Sequence, residues 1–214
     1  MLVAGVDEAG RGPVIGPMIV AGILVRNRDV KELKQIGVVD SKKLSPLRRK
    51  ELLPKILSIA KGVSIVEVSP KEIDEAVQFG GGLNELEAKN IAKVLDNLRP
   101  NVAYIDAADT CPARFEERIR KYLTCDAKLV VEHKADSNYT VVGAASIIAK
   151  VTRDIKVWEL RSYGDVGSGY PQDQKTLNFL RKWVQENGCL PPFTRCSWKT
   201  AKKILEEARQ RKLT

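Results

Sequence analysis

The chain has 214 residues, 43% of them hydrophobic and 29% charged, which is enough to bury a core and form one domain or a domain with a small appendage. Its formal net charge is +9, a balance that directs attention to polyanionic partners. No apolar stretch approaches the roughly 20 residues that span a bilayer, and the N-terminus lacks the basic leader of a signal peptide, so the expected location is cytoplasmic, away from any membrane.

The apolar residues 2–6 predict a first strand with Asp7 and Glu8 at its end, followed by Gly10-Arg11-Gly12-Pro13. Carboxylates at the end of a core strand cost desolvation unless a cation or hydrogen bonds offset it. The glycines let backbone approach a ligand closely; the plain alternative is an ordinary turn with solvated acids. Residues 18–25 predict a second strand, antiparallel to the first across a Gly/Pro-rich turn. Ser45-Pro46 opens a helix through Leu47, Leu52, Leu53 and Ile56, with a kink or break expected at Pro54. A strand at 63–68, a short helix from Ser69-Pro70 and a long helix over Leu83–Leu98 come next. A strand at 102–105 then leads to Asp106. Thr110 is expected to cap a helix through Phe115 and Ile119, and residues 128–131 form the fifth strand. Asp136 stands between that strand and a helix over 141–160, whose small-residue patch Gly143-Ala144-Ala145-Ser146 permits close packing. Beyond 164–169 the pattern is helical only, at 172–187 and 197–210 with a Pro191-Pro192 break. The sum is an α/β fold, a mixed sheet flanked by helices with a C-terminal helical appendage, divided as 1–165 and 166–214.

Charge is unevenly placed. Residues 26–55 carry ten Lys/Arg against four Asp/Glu, residues 171–214 carry the same, and each block is therefore +6 while the remainder is −3. Two basic flanks around an acidic remainder suggest a polyanion held by the flanks, with chemistry in the middle. Asp7, Glu8, Asp106 and Asp136 all fall at strand ends or helix starts, which neighbouring strands can bring to one edge. Carboxylates about 4 Å apart repel by about 1 kcal/mol per pair even in water. Mg²⁺ or Mn²⁺ resolves such repulsion. Adjacent strand residues face opposite sides, so Glu8 joins that edge only if the strand bends by Gly10 or if its carbonyl contributes. Asp136 could instead cap the next helix, and Asp40 and Asp109 read as turn or capping residues. His133 is the only histidine, and no phosphate-binding glycine motif appears, which leaves metal-assisted chemistry on phosphate. Cys111, Cys125, Cys189 and Cys196 lack metal-ligand spacing and read as buried thiols, with pairings 189–196 or 111–125 open for a hyperthermophilic source.

Several segments, in order, carry a resemblance: Asp7-Glu8-Ala9-Gly10-Arg11-Gly12-Pro13, Asp40-Ser41-Lys42-Lys43-Leu44, Gly82-Leu83-Asn84, Tyr104-Ile105-Asp106 and His133-Lys134-Ala135-Asp136. Ala144-Ala145-Ser146-Ile147-Ile148-Ala149-Lys150-Val151, Gly167-Ser168-Gly169-Tyr170-Pro171 and Ser197-Trp198-Lys199-Thr200 complete the set. Over nearly its whole length the chain resembles ribonuclease HII of the archaeal type. The resemblance implies a ribonuclease H-like fold and an endonuclease that hydrolyses the RNA strand of RNA–DNA hybrids. It also implies cutting 5′ of ribonucleotides embedded in duplex DNA, leaving a 3′-hydroxyl and a 5′-phosphate. Asp7, Glu8, Asp106 and Asp136 match the metal-binding catalytic acids, with Mg²⁺ or Mn²⁺ as cofactor. Gly10, Arg11 and Gly12 match the loop that reads the ribose 2′-hydroxyl, and Tyr170 the aromatic that stacks on the neighbouring deoxyribose. Lys42 and Lys43 are expected on phosphate, with Ser146 and Lys150 as further substrate candidates. Arg181, Lys199, Lys202 and Lys203 would hold the DNA strand, whereas Trp183 and Trp198 read as core. The family implies a monomer and leaves a sliding clamp open as a partner. One departure is Gln174, where the family pattern has proline. The rival readings are a DNA nuclease of the same fold and a non-catalytic nucleic-acid-binding module.

Overall fold

Five strands form one sheet in the computed structural model, which describes residues 1–38 and 44–211. They are β1 (Leu2–Ala9), β2 (Met18–Arg26), β3 (Gly62–Val68), β4 (Val102–Asp106) and β5 (Lys128–Glu132), in the order β3-β2-β1-β4-β5. Strand β1 runs antiparallel to β2 from Leu2↔Arg26 to Ala9↔Ile19, as the hairpin pattern predicts. It runs parallel to β4, and β4 parallel to β5, so the sheet is mixed. The helices are α1 (Val30–Gln35), α2 (Pro46–Ile59), α3 (Pro70–Phe79), α4 (Leu83–Leu98), α5 (Pro112–Arg120), α6 (Ala135–Asn138), α7 (Thr140–Glu159), α8 (Gln174–Asn187) and α9 (Lys199–Arg211). Among the described residues no helix is long and apolar enough to cross a membrane.

The chain forms two compact units. The first comprises Met1–Ala9, Ile19–Glu67 and Leu83–Thr152; the second comprises Gly10–Met18, Val68–Gly82 and Arg153–Thr214. The expected appendage 166–214 falls within the second unit, which also takes in two earlier segments.

In the first unit β1 is buried on both faces. A Cβ on Gly5 would collide with the backbone of Val141, so this glycine is what lets the start of α7 lie directly on one face of the strand. The other face, that of Val6, meets Val94 and Leu98 of α4 at Gly22. Ser45 caps α2 by accepting from Arg48 N–H, and Pro54 does not break that helix, which continues to Ile59. Thr110 is not the cap of α5: Cys111 takes that position without a side-chain bond, and the Thr110 hydroxyl donates to Asp109 at 3.2 Å.

The second unit has its own core of Val14, Ile15, Val157, Val166, Leu180, Val184, Ala201 and Ile204. Trp198 packs against it, and Trp183 joins a ring cluster with Tyr163, Phe179 and Phe193. Helix α3 starts in a capping box of Ser69 and Glu72. Asp173 caps α8, accepting from Lys175 N–H at 3.0 Å. Gln174 therefore occupies the first helical position, where proline is tolerated rather than required. All four cysteines are free thiols; contrary to expectation Cys111, Cys189 and Cys196 are exposed and Cys125 is half-buried.

Candidate active site

The parallel register decides which acids meet. Val3 to Val6 of β1 pair with Val102 to Ile105 of β4, so Asp7 and Asp106 come next on neighbouring strands. Alternation places both on the face of Gly5 and Tyr104, the side covered by α7. Asp106 stands opposite Glu132 at the end of β5. From there the chain turns through Lys134, in the left-handed region at φ 58°, into α6. Asp106 Oδ1 accepts a hydrogen bond from Ala135 N–H at 2.9 Å, tying the first turn of α6 to the end of β4. Asp136 is the second residue of that turn, with Lys134 in the cap position, and the helix it could have capped, α7, begins only at Thr140.

The result is a trio. One carboxylate oxygen each from Asp7, Asp106 and Asp136 lies within 4.8 Å of the others. Asp7 is 5% exposed and Asp136 3%. Burial, with the negative charges of Glu8 and Asp106 added to it, holds the Asp7 carboxyl well above the ordinary aspartate range. A hydrogen bond from the Ser146 hydroxyl acts the other way, and Lys150 Nζ donates to that same hydroxyl at 2.9 Å. Ser146 of α7 is 0% exposed; its hydroxyl faces the acid, not solvent.

Glu8 is placed differently. The β1–β2 ladder continues through Ala9↔Ile19, so the strand does not turn before Gly10, and alternation leaves Glu8 on the Val6 face. Its carboxylate is not in the trio, although its N–H donates to Asp7 Oδ1 at 2.8 Å. Asp109 proves to be a structural acid. It is held well below the usual carboxylate range, chiefly by hydrogen bonds from Arg114. Asp40, Lys42 and Lys43 lie outside the described residues.

The second unit holds the remaining candidates. Gly10 has φ +87°, and the carbonyls of Gly10, Arg11 and Gly12 accept hydrogen bonds from Arg195 or Trp198. The Gly169 carbonyl accepts from Val14 N–H at 2.8 Å and Ile15 N–H at 3.2 Å, joining the Tyr170 segment to the one that follows Gly12. Tyr170 is 39% exposed and lies under the Arg153 guanidinium, 5.0 Å from its ring centroid. Arg181 pairs with Glu207 at 3.4 Å, while Lys199, Lys202 and Lys203 are exposed along α9. Sequence reasoning missed Arg153 and Arg195, because a buried arginine bound to carbonyls looks in sequence like any surface arginine.

Three hard carboxylate donors gathered at partly desolvated positions fit a divalent cation of the Mg²⁺ or Mn²⁺ kind, which takes oxygen ligands. Acids converging at the carboxyl ends of adjacent parallel strands, in a mixed sheet flanked by helices, define a metal-dependent nuclease of the ribonuclease H type. A sequence model of the ribonuclease HII family matches residues 4–201. Ribonuclease HII of Pyrococcus abyssi is 46% identical over 217 residues, covering 100% of this chain and 96% of its own. The crystal structure of ribonuclease H2 from Pyrococcus horikoshii superposes with a TM-score of 0.91 at 44% identity, over 98% of this chain and 100% of that one. The ribonuclease HII in a complex with PCNA from Archaeoglobus fulgidus gives 0.84 at 39% identity, over 93% and 96%. The chain belongs to the ribonuclease HII family. It is accordingly a metal-dependent endoribonuclease acting on RNA–DNA hybrids.

Proposed function

We propose that this enzyme also cuts duplex DNA on the 5′ side of an embedded ribonucleotide, leaving a 3′-hydroxyl and a 5′-phosphate, with Asp7, Asp106 and Asp136 as its metal-holding acids. The observation that carries the reading is the convergence of those three carboxylates within 4.8 Å. A divalent cation held there, Mg²⁺ or Mn²⁺, supplies the positive charge that activates water and offsets charge on the leaving oxygen. The chain's own residues do the rest. Ser146 orients Asp7 through its hydroxyl, itself held by Lys150. Asp106 fixes the turn that presents Asp136. Glu8 enters as the fourth acid from the opposite face of its strand, and so acts through backbone or through the field at Asp7 rather than beside it.

Recognition falls to Gly10, Arg11 and Gly12 for the 2′-hydroxyl, to Tyr170 for the adjoining sugar, and to Lys42 and Lys43 for phosphate. Arg181, Lys199, Lys202 and Lys203 hold the DNA strand, so that 166–214 is the substrate-holding region and 1–165 the catalytic part. A sliding clamp is the protein partner this reading favours, since the relative from Archaeoglobus fulgidus was solved in a complex with PCNA. The enzyme works as a monomer in the cytoplasm.

The test is an end-labelled DNA duplex carrying one ribonucleotide, incubated with Mg²⁺. A single cut 5′ of the ribonucleotide, leaving a 3′-hydroxyl and a 5′-phosphate, so that phosphatase releases phosphate from the downstream end and not from the upstream one, is the expected result. A cut on its 3′ side, or equal cutting of the all-deoxy duplex, overturns the reading and favours a DNA nuclease of the same fold.

A further inference from the structure

We propose that Arg195 is the positioning residue that sets the peptide planes of the Gly10-Arg11-Gly12 loop, and with them the enzyme's discrimination of ribose from deoxyribose. The inference rests on the reading that this loop meets the 2′-hydroxyl, and it adds what makes the loop selective.

Arg195 is 0% exposed, in the segment between the Pro191-Pro192 break and α9. Its guanidinium bonds carbonyls: Nη2 donates to Gly10 O at 2.6 Å and Gly16 O at 3.0 Å, Nη1 to Arg11 O at 2.9 Å and Nε to Gly16 O at 3.1 Å. Burial is the main cause that lowers its pKa to about 10, so it remains a cation at neutral pH. A buried charge spent on backbone carbonyls is costly as mere packing, yet suits a fork whose donors are fixed in one plane.

A peptide unit is planar and trans, so its C=O and the following N–H point in opposite directions. Fixing the carbonyls of Gly10 and Arg11 on the Arg195 side therefore aims the N–H groups of Arg11 and Gly12 away from it. Two successive donors aimed alike form a recognition surface for an oxygen. Trp198 completes the arrangement. Its ring lies 5.1 Å from the Arg195 guanidinium carbon, and its Nε1–H donates to Gly12 O at 3.2 Å. The segment bearing both residues is itself anchored by Asp74 of α3, which accepts from Cys196 N–H at 2.7 Å, Ser197 N–H at 2.9 Å and the Ser197 hydroxyl at 2.5 Å. Gly10 admits no side chain here: a Cβ would lie 2.8 Å from Pro17 O.

The experiment compares affinities for two duplexes that differ by one 2′-hydroxyl, in EDTA to prevent cleavage, for the wild type, Arg195→Lys and Trp198→Phe. Lysine keeps the charge but cannot span the carbonyls. Arg195→Lys is expected to lose about tenfold or more of the wild-type preference for the ribonucleotide duplex, while binding the all-deoxy duplex as before. Trp198→Phe keeps the stacked ring, loses one bond and gives a smaller loss of the same kind; it decides the matter alone if Arg195→Lys does not fold. Preference retained in the folded variants overturns the role of Arg195. A wild type without preference overturns instead the underlying assignment of the loop to the 2′-hydroxyl.

Discussion

Asp7 owes its position to one step of register. It is the first residue of β1 beyond the last pair with β4, and its neighbour across that gap is Asp106. Two buried or half-buried acids at such a gap are unfavourable on their own, because burial and like charge both oppose ionisation. Ser146 is the residue placed to counter this. Its hydroxyl bonds Asp7 from α7 and is held in turn by Lys150. Ser146→Ala should therefore lower kcat on an RNA–DNA hybrid by about tenfold or more, the worth of one hydrogen bond to a charged group, with KM little changed. A variant with wild-type kcat would show that Asp7 needs no such support. The family resemblance offers Ser146 as a substrate candidate; its hydrogen bond to Asp7 is visible only in the fold.

Among the elements, the link between β4 and α5 is held by Asp109. Its carboxylate accepts from Asn84 at 3.1 Å, from Cys111 N–H at 3.2 Å and from Arg114, and Arg118 approaches it at 3.7 Å. Because Arg114 depresses the folded-state pKa, the stabilisation is present above the ordinary value of 3.8 and is lost as pH falls below it. Asp109→Asn should lower Tm at neutral pH, and the difference from wild type should shrink when melts are repeated at successively lower pH below 4 or so. A difference that stays constant would mean that charge is not the source. Sequence reasoning took Asp109 for a turn or capping residue, and its bond to Cys111 N–H at the head of α5 agrees with that. Arg114 and Arg118, in the first and second turns of α5, could not be assigned to it without the fold. Strands and long helices were legible because β1 and β2 are continuous apolar runs and α4 carries apolar residues at helical spacing. The six-residue α1, with Leu33 as its buried residue, is too short to show a period. Of the kink or break expected at Pro54, the break does not occur, since α2 runs on to Ile59.

Across the whole molecule, the acids and the residues proposed to read the sugar belong to different compact units that are consecutive in the chain at Ala9 and Gly10. The acids were legible because strand ends and elimination of other chemistries point to them. Alternation already set Glu8 on the other face unless the strand bent; what the sequence left open was the bend, and the β1–β2 ladder runs straight on to Ala9↔Ile19. Arg195 was hidden for a further reason, since its partners lie some 180 residues earlier in the chain. The central claim, that a carboxylate cluster holds the cation on which cleavage depends, is tested most directly with Asp7→Asn. Its rate on an RNA–DNA hybrid at saturating Mg²⁺ is compared with wild type, with hybrid affinity measured on the same protein. Cleavage should fall by about a hundredfold or more while affinity changes by less than about threefold. A rate close to that of wild type would contradict the account.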